Sequence, residues 1–405
     1  SSVLTAAIRG CHNRGSRTIN KKREAPVPTR SRGIVVFFAG LTLTVPGSAG
    51  ATDWPQWGGN DPGRNMVSAE RNLPESFEPG KKLPDGPGID IGTTKNVRWV
   101  TRLGAYIYGN PTVAGGRVFA GSDDTLLSDD KRFVRSRGGM VHSLDAGTGA
   151  TLWRLAVPKR LDDRLPKDAH FSQQQYGTCS SPAVSGGRVF VMTSACEIAC
   201  LDVDGLADGN DGPFTDEGTY MAGPGNKPID LVATDADIIW LFDIVKELDV
   251  CPHDAASCSP LIDGRFLYCV TCNGVEEKHE RCLRPEAPSY FCLDTETGRL
   301  LATDAERMGA RLWHCLWSPP SLGVVNGRKL VFFGGGDGFC YAFEALAELP
   351  EKPITFAKVW WYDCNPPQYR LRDGKPIPYY AGDKRKKDSP NIDDGTYLGP
   401  SQIIS

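Results

Sequence analysis

Val141-His142-Ser143-Leu144-Asp145-Ala146-Gly147-Thr148-Gly149-Ala150-Thr151-Leu152-Trp153 is the stretch on which the fold turns. Short apolar runs flank an Asp-x-x-Thr-Gly core. The Asp carboxylate accepts from nearby backbone N–H groups and Gly supplies a positive φ, so the core reads as a tight turn between two strands. The hairpin returns as Tyr290-Phe291-Cys292-Leu293-Asp294-Thr295-Glu296-Thr297-Gly298-Arg299-Leu300-Leu301. Two more copies keep the first strand, Ala199-Cys200-Leu201-Asp202 and Cys340-Tyr341-Ala342-Phe343-Glu344. They insert loops and then close at Trp240 and at Trp360-Trp361.

A second hairpin precedes each copy. It reads Pro111-Thr112-Val113-Ala114-Gly115-Gly116-Arg117-Val118-Phe119 and returns from Pro182, Pro260 and Pro320. The Gly-Arg steps end at Arg117, Arg188, Arg265 and Arg328, which are 71, 77 and 63 residues apart. Two short apolar strands around a Gly turn are a hairpin signal. Two hairpins per repeat make a four-stranded antiparallel sheet, which cannot bury both faces alone. Radial repetition stacks face on face and protects the edges.

The predicted fold class is therefore all-β, a β-propeller of four-stranded antiparallel blades occupying residues 52–405. The repeats are longer than the usual ~40–50 residues, so their loops carry insertions. Four units are complete, and Gly399-Pro400-Ser401-Gln402-Ile403-Ile404 reads as the start of a fifth. Asn96-Val97-Arg98-Trp99-Val100 reads as a lone closing strand whose partners are expected beyond Ser405. The ring is expected to be incomplete, with about four to five blades here and its C-terminal blades missing. The chain starts at Ser1, not Met, and is read as a fragment or a gene with uncertain ends.

Residues 1–51 read as a basic leader and signal peptide. Lys21, Lys22, Arg23, Arg30 and Arg32 precede an apolar run from Ile34 to Val45, then Pro46, Gly47 and the small residues Ser48-Ala49-Gly50-Ala51. That order is the one export signals use. The run is too short to span a bilayer, and no other stretch is long enough. The expected location is periplasmic or extracellular, with a mature start near Thr52. Net charge is −3 with a pI near 6.1, so no global basic field is present to hold nucleic acid or a membrane surface.

The string Ser143-x-Asp145-x-x-Thr148-Gly149-x-x-x-Trp153 resembles the tryptophan-docking repeat of quinoprotein dehydrogenases and their non-enzymatic relatives, the pyrroloquinoline-quinone (PQQ)-like propellers. The opening Asp53-Trp54-Pro55-Gln56-Trp57-Gly58, with Asp61 to Ser68 after it, resembles the mature start of the same proteins. The likeness is greatest to large exported members of uncharacterised function from bacteria such as planctomycetes. The resemblance implies that each docking Trp packs between neighbouring blades. For the family's enzymes it implies PQQ on the propeller axis beside Ca²⁺, between a disulfide of adjacent cysteines and a Trp, with an Asp base. This sequence has no adjacent cysteine pair, and Gly59 stands where the opening usually has a basic residue. No motif here matches the calcium-binding Glu and Asn or the base.

One local constellation carries metal chemistry of its own. Asp202-Val203-Asp204-Gly205-Leu206-Ala207-Asp208-Gly209-Asn210-Asp211 alternates carboxylates and glycines, which can wrap oxygens around a hard cation such as Ca²⁺. Asp202, Asp204, Asp208 and Asn210 are the expected ligands. The EF-hand's closing bidentate Glu is missing, and the bland alternative is a polar loop.

Other groups are weaker. Thirteen cysteines become twelve without Cys11, a count that permits disulfides in an exported chain. Cys196 and Cys200 read as a pair that joins or simply packs, and Cys179 and Cys315 as core residues. Cys269-x-x-Cys272 with His279 and Cys282 offers four zinc-type ligands at a spacing no zinc module uses. His253-Asp254 and His314 precede the third and fourth repeats, where loops can line one face, but two neighbours do not make a catalytic pair. No Gly-x-Ser-x-Gly elbow or phosphate loop occurs. Asp383-Lys384-Arg385-Lys386-Lys387-Asp388 reads as a solvated loop. Phe242, Val245 and Leu248 recur at helical spacing and predict a short covering helix after Trp240.

Two functions follow. The first is an exported binding or scaffold propeller with Ca²⁺, whose partner is a protein or a polysaccharide. The alternative is a PQQ-dependent oxidoreductase acting on an alcohol or sugar. A glycosidase would need two facing carboxyls that the sequence does not identify.

Overall fold

The computed structural model describes Leu4–Ala6 and residues 52–376 apart from 162–163, 172, 174, 279–280, 313, 365–370 and 373–374. Four antiparallel sheets follow one another along the chain, each built from its strands in sequence order, and they form an all-β propeller. The first blade is Thr112–Ala114, Arg117–Asp123, Gly139–Asp145 and Thr151–Val157. The second is Ala183–Ser185, Arg188–Met192, Glu197–Asp202 and Ile238–Asp243. The third is Leu261–Asp263, Phe266–Val270, Tyr290–Asp294 and Leu300–Thr303. The fourth is Ser321–Val325, Arg328–Gly334, Phe339–Glu344 and Lys358–Asp363. Ile354–Thr355, from the long loop of the fourth blade, adds a parallel strand to the outer edge of the third.

The first hairpin of each blade turns on residues with left-handed backbone. Gly115-Gly116 and Gly186-Gly187 have φ of 55° and 77°, then 59° and 77°, as a two-residue turn between right-twisted strands requires. The second hairpin carries a register shift at one equivalent place in all four blades: Ser143/Leu144, Cys200/Leu201, Cys292/Leu293 and Ala342/Phe343. An extra residue on one strand bends it and re-aims its side chains.

Those bends set the contacts between blades. Trp153 on the outer strand of the first blade donates Nε1–H to the Val203 carbonyl of the second at 2.9 Å. Trp240 of the second donates to Thr295 of the third at 3.2 Å, and Trp99 donates to Ala146 of the first at 3.0 Å. Each acceptor is the residue after the Asp that ends a blade's third strand. Behind the indoles, Phe119–Trp153 and Phe190–Trp240 repeat the same tilted geometry, with centroids 5.9 Å apart at 45°. In the third blade Ala302 stands at the Trp position, opposite Cys292. There the residue in place of Phe119 and Phe190 is Tyr268, whose hydroxyl accepts from the Leu346 N–H of the fourth blade at 2.8 Å. A tyrosine thus supplies the cross-blade bond that a Trp supplies elsewhere.

The segment Trp54–Arg64 crosses the innermost strand of every blade. Trp54 exchanges backbone hydrogen bonds with Val113, Pro55 O accepts from Val184 N, and Pro62 O accepts from Leu322 N. The Arg64 guanidinium donates to Ser259 O and Pro260 O, at the start of the third blade's inner strand, and to Trp57 O. Buried clusters between the blades then form the core, one across blades one and two and a larger one across two to four.

Two expectations meet this arrangement differently. Ile244–Leu248 is the covering helix after the strand that holds Trp240, with Val245 and Leu248 buried. The strand Trp99–Thr101, expected to close the ring, pairs with Leu4–Ala6, inside the segment read as a leader. An open strand edge offers unpaired N–H and C=O groups to whatever chain reaches it. The apolar run 34–45, the loop 383–388 and the start of a fifth repeat at 399–404 lie outside the described residues. Among the described residues, no helix is long and apolar enough to cross a membrane.

Candidate functional site

The acidic loop leaves the third strand of the second blade at Asp202. Its first turn closes when Asp202 Oδ1 accepts from Asp204 N at 2.7 Å, and Gly205 follows with φ of 63°. This turn gathers Asp202, Asp204 and Asp208, whose carboxylate oxygens lie within 4.8 Å of one another. Burial raises the pKa of Asp202, and the charges of Asp208, Asp204 and Asp211 raise it further. Asn210 is turned another way, donating its amide to Glu217 Oε2 at 2.9 Å.

Spacing did not reveal the loop's other neighbours. Asp204 pairs with Arg117 of the first blade. Asp237 approaches from the strand side, and its Oδ2 accepts from Asp211 N at 2.7 Å. Its Oδ1 is buried without a hydrogen-bond partner. Burial pushes the Asp237 carboxyl up to about 6, helped by Glu217, Asp202 and Asp211. The group is an acidic pocket with one guanidinium at its rim, suited to a hard cation by its all-oxygen donors.

A second constellation joins His253, Asp254 and His314, which stand just before the third and fourth repeats. His253 and His314, 61 positions apart, face each other with Nε2 atoms 3.1 Å apart. Asp254 Oδ2 lies 3.6 Å from His253 Nε2 and 3.8 Å from His314 Nε2, while Asp254 Oδ1 meets His170 Nε2 at 2.9 Å. His253 Nδ1 is 2.7 Å from the Val275 carbonyl, which places its proton on Nδ1 and leaves Nε2 as an acceptor. Both histidines precede the Pro of a repeat by similar offsets, His253 by seven residues and His314 by six, and that offset is the one sequence signal of their pairing.

The cysteines behave as core. Cys269, Cys272 and Cys282 do not form a ligand group among the described residues, and His279 lies outside them. Cys269 is buried beside Cys258, Cys272 packs its sulfur 3.4 Å from that of Met192, and Cys282 accepts from Asn273. Cys196, Cys200 and Cys315 are buried free thiols, and burial raises the pKa of each.

Among the described residues, the centre of the blades does not present the set a quinone cofactor needs. What meets there is the protein's own segment Trp54–Arg64, held by backbone carbonyls and one guanidinium. The sequence has no adjacent cysteine pair, and the described residues at the centre do not fit PQQ beside Ca²⁺.

Four-stranded blades joined through Trp and Gly make this an all-β propeller. Residues 125–209 match the family described as outer membrane protein assembly factor BamB, across the first and second blades. Among solved structures, BamB from Moraxella catarrhalis is 16% identical over 66% of this chain and 51% of its own, with a TM-score of 0.32. Quinohemoprotein alcohol dehydrogenase from Comamonas testosteroni is 14% identical over 82% of this chain and 53% of its own, with a TM-score of 0.38. Quinohemoprotein alcohol dehydrogenase ADHIIG from Pseudomonas putida HK5 is 15% identical over 58% of this chain and 32% of its own, with a TM-score of 0.32. The chain thus spans about half the length of the first two and about a third of the last. No curated protein matches the sequence.

Proposed function

We propose that this propeller is a non-enzymatic binding scaffold that works outside the cytoplasm, with Ca²⁺ ordering the acidic loop that starts at Asp202. The observation that carries the reading is the occupation of the blade centre by Trp54–Arg64. A centre filled by the chain's own backbone leaves the loop faces as the surfaces that meet a partner, and loops on rigid scaffolds are where binding concentrates. The basic, apolar, small-residue order of residues 1–51 supports export. In this reading Asp202, Asp204 and Asp208 bind the ion, Asn210 stays on Glu217, and Arg117 keeps Asp204 in place.

Two measurements on the full-length protein decide it. Ca²⁺ is expected to raise the melting temperature of the wild type and not that of Asp202→Asn/Asp208→Asn. PQQ added with Ca²⁺ is expected to leave Trp fluorescence unchanged. Saturable PQQ binding with calcium-dependent dye reduction would replace this reading by the quinoprotein oxidoreductase. A Ca²⁺ response that survives in the double variant would remove the loop from the proposal.

A further inference from the structure

The geometry points to a divalent transition-metal site formed by His253, His314 and Asp254, separate from the acidic loop. We infer that a borderline-soft cation such as Zn²⁺ is held by the two Nε2 atoms and Asp254 Oδ2, with a further position open to solvent or ligand.

Four observations converge. The first is shape. A tetrahedral zinc with bonds of about 2.0–2.1 Å has ligand atoms roughly 3.3–3.4 Å apart. The three donor-to-donor distances here are 3.1, 3.6 and 3.8 Å. The second is the donor set. Two imidazoles and one carboxylate suit zinc, iron or cobalt, and not calcium.

The third is the outer shell. Metal-ligating histidines characteristically give their other N–H to a carbonyl or carboxylate. His253 Nδ1 is on Val275 O at 2.7 Å, and the far oxygen of Asp254 is on His170 Nε2 at 2.9 Å. Asp254 itself holds a left-handed backbone at φ 54°, set by Asp254 N donating to His170 O. The fourth is the fit of the supporting chain. Val275 N donates to the His314 carbonyl, so one residue ties both histidines. Gly274 lies so close that a Cβ would meet His253 Cβ at 2.5 Å and His314 O at 2.8 Å. Trp317 packs edge-on to the His314 ring at 4.9 Å and is fixed by donating to Ala255 O.

Without a metal, the proton between the two Nε2 atoms belongs to His314, because the His253 proton is on Nδ1. Metal binding at His314 Nε2 moves that proton to Nδ1 of the same ring, so uptake above the histidine pKa range releases no net proton.

The test uses untagged full-length protein, stripped with chelator and titrated with Zn²⁺ in excess Ca²⁺, so that the acidic loop does not compete. One equivalent is expected to bind at a pH above the histidine range with no net proton release, whereas capture by thiols would release one proton per thiolate formed. His314→Ala and Asp254→Asn are each expected to weaken binding on the order of 100-fold, and His170→Ala on the order of 10-fold. Unfolding curves confirm that each variant is folded. Co²⁺ in place of Zn²⁺ should give ligand-field bands without thiolate charge transfer. A folded wild type that takes up no zinc, or variants that bind as tightly as wild type, would overturn the site. Thiolate charge transfer would move the metal to the cysteines, with the same consequence.

Discussion

The indole of Trp240 lies against Gly298 of the next blade so closely that a Cβ there would stand 2.7 Å from the ring. The same relationship joins Trp153 to Gly205, at 2.7 Å, and Trp99 to Gly149, at 2.5 Å. These glycines are needed twice over, since all three also have positive φ. Gly298→Ala is therefore expected to cost about 2–4 kcal/mol, combining left-handed strain with displacement of the indole. Gly264 has a similar φ of 58° and nothing within 4 Å of the added methyl, so Gly264→Ala should cost only about 1–2 kcal/mol. Urea unfolding of the two variants measures the difference, and equal losses would show that the Trp contact contributes nothing.

Tyr268 allows the blade contact to be dissected without touching a Trp. Its ring is buried and its hydroxyl accepts from Leu346 N. Tyr268→Phe keeps the ring and removes one bond, so a loss of about 1 kcal/mol is expected. If the third and fourth blades are held by ring packing alone, the variant will unfold at the wild-type urea midpoint.

How far the sequence foreshadowed these contacts depends on their range. The blades were legible because a hairpin is local: Gly115-Gly116 and Asp145-x-x-Thr148-Gly149 each specify a turn from adjacent residues. The Trp positions were legible because they recur in that frame. Ala302 broke the frame, and nothing near it signals that Tyr268, 34 residues earlier, makes the cross-blade bond instead. The acidic loop was legible as a string of carboxylates, whereas its partners come from elsewhere, Arg117 from the first blade and Asp237 from just before the strand Ile238–Asp243. Arg64 and Ser259 are 195 residues apart, and His253 and His314 are 61 apart. Such pairs are made by closure of the blades around a centre, which no short-range pattern encodes.

His142 gives the fold a pH response with a definite sign. It is buried on the third strand of the first blade, with Nε2 2.8 Å from Ser122 Oγ. Ser122 donates to Leu103 O, so the hydroxyl accepts the Nε2 proton and the neutral ring is the one that fits. Burial, helped by the charge of Arg154 on the facing strand, holds its pKa down at about 4. The unfolded chain therefore binds a proton near pH 6.5 that the folded one refuses until about pH 4. The stability this provides is complete above pH 6.5 and is lost as pH falls toward 4, up to about 3 kcal/mol. His142→Gln should flatten the decline of the melting temperature between pH 6.5 and 4, whatever its effect at neutral pH. A wild-type slope retained in the variant would place the acid sensitivity elsewhere.

Arg64 is the residue on which the central segment depends. Its guanidinium is buried, stacks 5.3 Å over the Trp57 ring and donates to three carbonyls, two of them at the third blade's first strand. Burial lowers its pKa to about 10, so it remains charged at neutral pH and its hydrogen bonds are of the stronger, charge-assisted kind. Arg64→Ala is expected to cost about 2–4 kcal/mol, because it strands the carbonyls of Trp57, Ser259 and Pro260 in a site too closed for water to replace every bond. Arg64→Lys should recover less than half of that, since a single ammonium cannot span acceptors that a planar fork bridges. The segment should also become a protease site. Limited proteolysis followed by mass spectrometry would find cleavage between residues 53 and 66 in Arg64→Ala and not in wild type. Should Arg64→Ala resist cleavage and unfold with the wild type, the segment would be held by its backbone bonds to Val113, Val184 and Leu322, and the guanidinium would have no part in closing the blade centre.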